Sequence, residues 1–381
     1  WYNKQMETNI QWDSLDGPAL QAQLQKYCTS EGISDIHFAP EKTGVRLEVR
    51  LHGILEEIAT LTARTYEDFV RQIKFVSKLK LNVTNIPQDG HYTFEQEDRT
   101  AEGGEQSRTV NVRVASIPSR FGEKFTLRLL DPDKGIVPLP ELGFPTEIHE
   151  KLSELVQLPN GIILITGPTG SGKTTTLYAL LNTIVGKDRS IITLEDPVEY
   201  ELPGIVQSQV DHDHDYTFST GLRSILRHDP DVILVGEIRD YETAQTAIDA
   251  ALTGHLVLST LHTNSAIEAI PRLLAMGVSP YTFAPALRAV LAQRLVRTTK
   301  KECKGDAKCD PSNNETYDGR MALPELLVVT PSIRQMILDN ESAEPMLEQA
   351  KKEGYKTMQD WGKIFTDNDD TTDSEIMRVT M

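Results

Sequence analysis

The sequence predicts an α/β chain, with a larger C-terminal part on a mainly parallel sheet and a smaller α+β part ahead of it. Three observations support this. After Thr146, short apolar runs alternate with helical patterns, as expected of strands covered on both faces by helices. A glycine-rich turn, Gly167 to Thr174 (Gly-Pro-Thr-Gly-Ser-Gly-Lys-Thr), joins one such run to a helix start. Up to Leu130 the periodicity is instead that of half-buried strands with a few helices.

In the first part, Ala19 to Tyr27 reads as a short helix. Val45, Leu47, Val49 and Leu51 alternate with Arg46, Glu48 and Arg50, which marks a strand with one buried face. Phe69, Ile73 and Val76 give Tyr66 to Leu79 helical spacing. Val110, Val112 and Val114, then Phe125, Leu127 and Leu129, mark two more strands. Gln96 to Ser107 is polar and contains glycine, so it reads as a mobile hairpin loop. Asp131 to Pro145 carries Pro132, Gly135, Pro138, Pro140, Gly143 and Pro145, a run that resists both helix and ladder pairing. The expected domains are therefore residues 1–130 and 146–381, joined by a linker over 131–145.

In the second part, Ile162 to Ile165, Ile191 to Leu194, Val232 to Val235 and Leu256 to Ser259 are the apolar runs suited to buried strands. Leu177, Leu180, Leu181 and Ile184, and likewise Ala244, Ala247, Ile248 and Ala251, recur with the spacing of one helix face. From Pro280 onward the reading is mostly helical. Lys300 to Arg320 is a polar insert, and Asp367 to Asp373 reads as a solvated loop.

The net charge of −17 repels a polyanion, and Lys300, Lys301, Lys304 and Lys308 are interrupted by Glu302 and Asp306. No nucleic-acid partner is expected. No apolar run reaches the roughly 18 residues of a membrane span. Trp1 to Ile10 lacks an apolar signal core, and the absence of an initiator Met is what a fragment or processed chain shows. Cys28, Cys303 and Cys309 suggest no disulfide framework, which fits a reducing cytoplasm.

The strand–turn–helix context of Gly167 to Thr174 makes it a P-loop. Gly167, Pro168, Thr169, Gly170, Ser171 and Gly172 form the turn whose N–H groups wrap phosphate oxygens; Lys173 reaches the β- and γ-phosphates, Thr174 ligates Mg²⁺, and the helix opens at Thr175. ATP with Mg²⁺ is the implied ligand. Glu237 follows the run Val232 to Val235, with Gly236 in place of the usual Asp, and is placed to hold Mg²⁺ or orient water. Glu195 and Asp196 end another run. Glu195 is a second candidate for polarising water, and which acid is the base stays open. His255 and His262 flank the run Leu256 to Ser259, where a histidine can sense the γ-phosphate or simply serve the structure. Arg113 and Arg128 each stand between apolar residues on a strand, so both face away from the core; the pattern alone favours ordinary exposed arginines over groups that supply charge to a phosphoryl transition state from a neighbouring subunit. Asp211 to Asp215 (Asp-His-Asp-His-Asp) cannot converge on one ion and reads as a solvated loop, and Cys303 and Cys309 lack the partners of a closed zinc site.

With these elements placed, the chain resembles the secretion ATPase superfamily, in the branch that drives type II secretion and type IV pilus assembly. The resemblance rests on Ser34 to His37 (SDIH), Ile86 to Gly90 (IPQDG), Phe121 to Lys124 (FGEK), Ile192 to Tyr200 (ITLEDPVEY), Leu226 to Asp240 (LRHDPDVILVGEIRD), Thr253 to Ala266 (TGHLVLSTLHTNSA) and Ala292 to Arg297 (AQRLVR). It implies a RecA-like P-loop NTPase domain preceded by a PAS-like α+β domain, and a homo-hexameric ring that hydrolyses ATP with Mg²⁺. It implies arginine fingers at Arg113 and Arg128, with Arg223 and Arg227 as candidates for ring contacts or nucleotide sensing, and histidine-box chemistry at His262. The implied role is a motor acting through an inner-membrane platform protein from the cytoplasmic face, so that pilin-like subunits enter a filament. Retraction motors and DNA-conjugation motors of the superfamily rank behind assembly. The paired Cys-x-x-Cys segments of many relatives are not found around Cys303 and Cys309, nor is the additional N-terminal docking domain.

Overall fold

The structure, a computed structural model, describes residues 10–99, 105–130, 137–186, 188–305, 309–311 and 313–380. The chain forms two compact units, Trp1–Gly135 and Ile136–Met381. Most of the Trp1 to Ile10 segment, the linker residues 131–136, and Asp306 and Lys308 of the polar insert lie outside the described residues.

The first unit opens with α1 (Gly17–Glu31). Its start is fixed by Asp16, whose side chain accepts from Ala19 N–H at 2.9 Å, and its end by Gly32 at φ 74°. The strands β1 (Asp35–Glu41), β2 (Gly44–Leu51) and β3 (Ile54–Leu61) precede α2 (Ala63–Val76), and β4 (Gln88–Arg99), β5 (Glu105–Ser119) and β6 (Gly122–Leu130) follow. They form one antiparallel sheet in the order β3-β2-β1-β6-β5-β4. Leu20 and Leu24 of α1 and Phe69 and Ile73 of α2 are buried against Ile36, Phe38, Leu47, Phe125 and Leu127 of the sheet. The segment expected to be a mobile loop, Gln96 to Ser107, is largely ladder: β4 and β5 pair from Gln96↔Arg108 to Arg99↔Glu105. Cross-strand pairing overrides its polar composition, and its tip, 100–104, lies outside the described residues.

The second unit begins with residues 137–145 of the expected linker, whose Leu139 and Phe144 enter its core. In chain order it holds α3 (Thr146–Leu155), β7 (Gly161–Thr166), α4 (Lys173–Asn182), β8 (Ile191–Glu195), β9 (Val206–Gln209), α5 (Phe218–Ile225), β10 (Val232–Val235), α6 (Tyr241–Leu252) and β11 (Leu256–Leu261). Next come α7 (Ala269–Ala275), α8 (Pro280–Ala286), β12 (Leu287–Thr299), β13 (Tyr317–Val328) and the helices α9 (Pro331–Leu338), α10 (Ala343–Lys352), α11 (Met358–Asp367) and α12 (Asp373–Thr380). The sheet order is β13-β12-β7-β11-β10-β8-β9, parallel throughout except for the antiparallel β13.

Three expectations are corrected here. The stretch after Pro280 is not mostly helical, because β12 and β13 occupy much of it. The Ala- and Leu-rich run suits a helix locally, but its pairing with β7 on one side and β13 on the other decides the matter. Cys303 and Cys309 form a disulfide closing a short loop, while Cys28 is buried and free. Asp367 to Asp373 is a helix end, a turn and a helix start, and Thr371 within it is buried, its hydroxyl donating to the Arg297 carbonyl at 2.7 Å. Among the described residues no helix is long and apolar enough to cross a membrane.

Candidate active site

All five central strands run the same way, so the loops after β7, β11, β10 and β8 leave one edge in that spatial order. Neighbouring strands lie about 4.8 Å apart. The P-loop, His262, Glu237 and Glu195–Asp196 are therefore lined up along that edge.

The P-loop leaves β7 at Gly167 and enters α4 at Lys173. Gly170 and Gly172 adopt left-handed conformations at φ 78° and 85°, and a Cβ on Gly167 (φ 147°) would lie 2.5 Å from the Gln293 carbonyl. Only glycine meets these demands without strain. Among the described residues no acceptor meets the N–H groups of Gly172, Lys173 or Thr174; helix bonding begins with Thr176 N–H to Gly172 O at 3.0 Å. The Ser171 hydroxyl is buried without a partner. Unpaired donors at a helix start fit a polyanionic phosphate chain. Pro168, Thr169 and Gly170 are exposed, and Thr174 and Thr175 are half-buried beside them.

Lys173 Nζ donates to the Gly167 and Pro168 carbonyls of its own loop, at 2.9 and 3.0 Å. Burial pushes its pKa down to about 8; Glu237 opposes this shift and Arg294 adds to it. The cation is thus held over the loop by weak neutral acceptors, poised for a better anion.

Glu237 is mostly covered, and its carboxylate is paired with the Arg239 guanidinium, while His262 Nε2 lies 3.5 Å from its other oxygen. Gly236 fits where the usual Asp would crowd: a Cβ there would come within 3.3 Å of the Leu194 carbonyl and the Phe218 ring. The pairing with Glu237 raises the pKa of Arg239. Neither Arg239 nor its contact was singled out from sequence, although it lies inside the LRHDPDVILVGEIRD motif.

Glu195 sits differently. It is buried, and its carboxylate accepts from the Tyr178 hydroxyl, from Thr193 Oγ1 at 2.5 Å and from Gln207 Nε2 at 3.2 Å. Asp196 next to it faces His212 Nε2 at 3.2 Å. His255 is apart from the site: its strand residue Leu256 pairs with Gly161 at the start of β7, and its Nδ1 lies 2.9 Å from the Ala250 carbonyl. Along a strand this is on the order of 20 Å from His262. Asp211 to Asp215 forms an exposed turn in which Asp211 caps His214 at 2.8 Å. Among the described residues no group of three or more His, Cys, Asp or Glu is arranged to hold a metal by itself.

In the first unit Arg113 and Arg128 are direct cross-strand partners on β5 and β6. Arg128 Nε donates to Asp35 at 2.8 Å, and Arg50 lies 3.6 Å from the same carboxylate. Burial raises the Asp35 pKa, but the bonds from Arg128 and Ser34 outweigh it, so the net shift is downward. The SDIH aspartate thus anchors one of the two arginines. Arg223 is paired with Glu242 at 3.5 Å, and Arg227 donates to the Arg223 carbonyl at 3.1 Å.

The family model described as type II/IV secretion system protein matches residues 18–378. The chain is 39% identical over 378 residues to the type II secretion system protein HxcR of Pseudomonas aeruginosa, covering 97% of this chain and 79% of that one. It is 38% identical over 396 residues to the type IV pilus assembly ATPase PilB of Thermus thermophilus, covering 96% of this chain and 44% of that one. Among solved structures, the pilus retraction motor PilT with bound ADP superposes with a TM-score of 0.61 at 30% identity, over 93% of this chain and 98% of that one. The RecA-like fold, the P-loop at its sheet edge and these relatives agree: the chain belongs to the type II/IV secretion system protein family and is an ATP-hydrolysing enzyme.

Proposed function

We propose that this enzyme is a hexameric motor that assembles a type IV pilus or type II secretion pseudopilus by hydrolysing ATP. The observation that carries the proposal is the alignment of the acceptor-free P-loop N–H groups, Lys173, His262 and Glu237 along one sheet edge. Assembly is favoured over retraction because the relatives named for type II secretion and pilus assembly share 39% and 38% identity, against 30% for the retraction motor.

In the proposed reaction the P-loop N–H groups hold the phosphates of ATP. Lys173 leaves the Gly167 and Pro168 carbonyls for the β- and γ-phosphates. Thr174 and Glu237 would hold the Mg²⁺ that accompanies the nucleotide, and the ion would offset phosphate charge there. Water attacks the γ-phosphorus, the bond to the ADP oxygen breaks, the water's protons stay with the released inorganic phosphate, and Glu237, the acid whose charge acts on Lys173, orients that water. Glu195, held by Tyr178, Thr193 and Gln207, supports the neighbouring edge from inside. His262 reads the γ-phosphate through Glu237. Arg113 and Arg128 supply positive charge to the transition state. The motor works at the cytoplasmic face of the inner membrane against a platform protein.

Steady-state ATPase rates test this. Lys173→Ala and Glu237→Gln are each expected to lower kcat by about two orders of magnitude, the scale of losing one preorganised charge, with the circular dichroism spectrum unchanged. Wild-type rates in either variant would refute the assignment.

A further inference from the structure

The side chain of Gln293, on β12, is fully buried beneath the P-loop. Both ends of its amide are used. Nε2 donates to the Ser171 carbonyl at 2.6 Å, and Oε1 accepts from the Thr176 hydroxyl at 3.0 Å. One amide therefore ties the end of the loop to the first turn of α4. The Gln293 backbone meets the beginning of the same loop, where its carbonyl excludes any side chain at Gly167. The partners lie 122 and 117 residues away in the chain. They are brought together because β12 pairs in parallel with β7, with Ala292 opposite Thr166.

We infer that Gln293 is a positioning residue for nucleotide binding: it sets the direction of the loop N–H groups that receive phosphate. The inference rests on the reading of Gly167 to Thr174 as the phosphate cradle. The reason lies in the planar trans peptide, in which C=O and N–H point opposite ways. Holding the Ser171 carbonyl inward on Nε2 turns the N–H of Gly172 outward, away from β12. Gly172 at φ 85° has no side chain to hold that peptide by packing, so the inward bond fixes it. Thr176 keeps the amide from rotating, so Nε2 rather than Oε1 faces the Ser171 carbonyl.

The experiment measures the affinity of the full chain for a fluorescent ADP analogue with Mg²⁺, across about pH 5 to pH 7.5, the range in which a buried carboxyl titrates. Gln293→Met removes donor and acceptor at nearly constant length. It is expected to weaken binding by about tenfold or more at every pH, the scale of one buried polar group left unpaired. Gln293→Glu is the sharper probe. Its protonated carboxyl still offers one donor to Ser171 and one acceptor to Thr176, whereas its ionised form sets an anion against the Ser171 carbonyl. Relative to wild type at the same pH, which cancels the ionisation of the ADP terminal phosphate at about pH 6, binding is expected to be near wild type at the acid end and to weaken as pH rises. Thr176→Val strips one anchor only, is expected to weaken binding by a smaller factor, and reads the same quantity if Gln293→Met does not fold. Wild-type affinity in Gln293→Glu at every pH overturns the inference, as does a loss in Gln293→Glu that is equal at every pH, because packing alone would give that. Failure of the wild-type chain itself to bind the analogue overturns the cradle reading instead.

Discussion

Glu195 ends β8 and Glu237 follows the end of the neighbouring β10, yet the surroundings of these two identical side chains separate them. The first spends its carboxylate on three internal donors, Tyr178, Thr193 and Gln207. The second is paired with Arg239, lies beside His262 and acts electrostatically on Lys173. An acid that directs water at a nucleotide must be reachable by that water, which favours Glu237. Lys173 gives a pH prediction. Its nucleotide-free pKa is pushed down to about 8 by burial. Phosphate binding needs the cation, so affinity is complete below that value and falls as pH rises through it. The KM for ATP is expected to be flat at neutral pH and to climb above about pH 8, by up to tenfold per unit. In Glu237→Gln the climb starts at lower pH, because the carboxylate that raises the Lys173 pKa is gone. Initial-rate kinetics in buffers spanning the range check both points, and a flat profile in wild type would contradict the buried-cation account. The placement of the loop glycines, Lys173 and both acids at the ends of strands was legible in the sequence because each belongs to a short motif. Arg239 and Gln293 stood inside quoted motifs, but their roles depend on partners that only the fold supplies.

At the scale of elements, β12 shows why local sequence misled. Leu, Ala and Arg suit a helix, but the segment's value lies in distant contacts: β7 and β13 in the sheet, the P-loop at Gln293 and the last helix at Arg297. Glu375 on α12 is buried and accepts from Arg297 N–H at 2.9 Å, Arg297 Nη2 at 2.8 Å and Arg378 Nε at 2.8 Å. Burial alone would raise its pKa, but the bonds from Arg378 and Arg297 win and hold it at about 2. Arg297 also stacks on Tyr317, 4.0 Å from the ring centroid. Glu375→Leu is expected to destabilise the second unit by about 3–5 kcal/mol, the cost of leaving a buried ion unpaired. Since the folded pKa is depressed, the stabilisation is present above the ordinary carboxylate range and disappears as pH falls toward about 2. Urea titrations of wild type and variant at neutral and acid pH measure it; the two should converge in acid. In the first unit, two of the resemblance motifs prove to meet in space. Lys74 joins Glu123 of FGEK at 2.7 Å and the Val83 carbonyl at 2.7 Å, and Gln88 of IPQDG donates to that same carbonyl at 2.7 Å. These signatures read as function in sequence, and in the fold they tie α2 to the sheet.

At the scale of the whole molecule, the proposed arginine fingers and the P-loop belong to different units of the chain. If Arg113 serves the site of a neighbouring subunit, inactive subunits of two kinds should repair each other. Arg113→Ala leaves a complete P-loop and Glu237, and Glu237→Gln leaves a complete finger. Mixed in equal amounts, they are expected to regain about one quarter of the wild-type ATPase rate, the share of sites in a randomly assembled ring that join the intact halves. No recovery would place the fingers in the subunit they serve. The fold class of the second unit was legible because buried parallel strands leave continuous apolar runs, whereas the linker's second half was not, because Leu139 and Phe144 take their value from a core that composition does not reveal. The direction of those strands also separates the two histidines of one motif, leaving His262 beside Glu237 and His255 at the far end of β11. That far end suits instrumentation: Gly254, next to His255, sits at φ 116°, where a side chain would be strained, but Leu252 at the end of α6 is exposed. A dye or a short tag carried there would travel with the second unit and stay at the opposite edge of the sheet from the P-loop, so motions of that unit can be watched without crowding the candidate site.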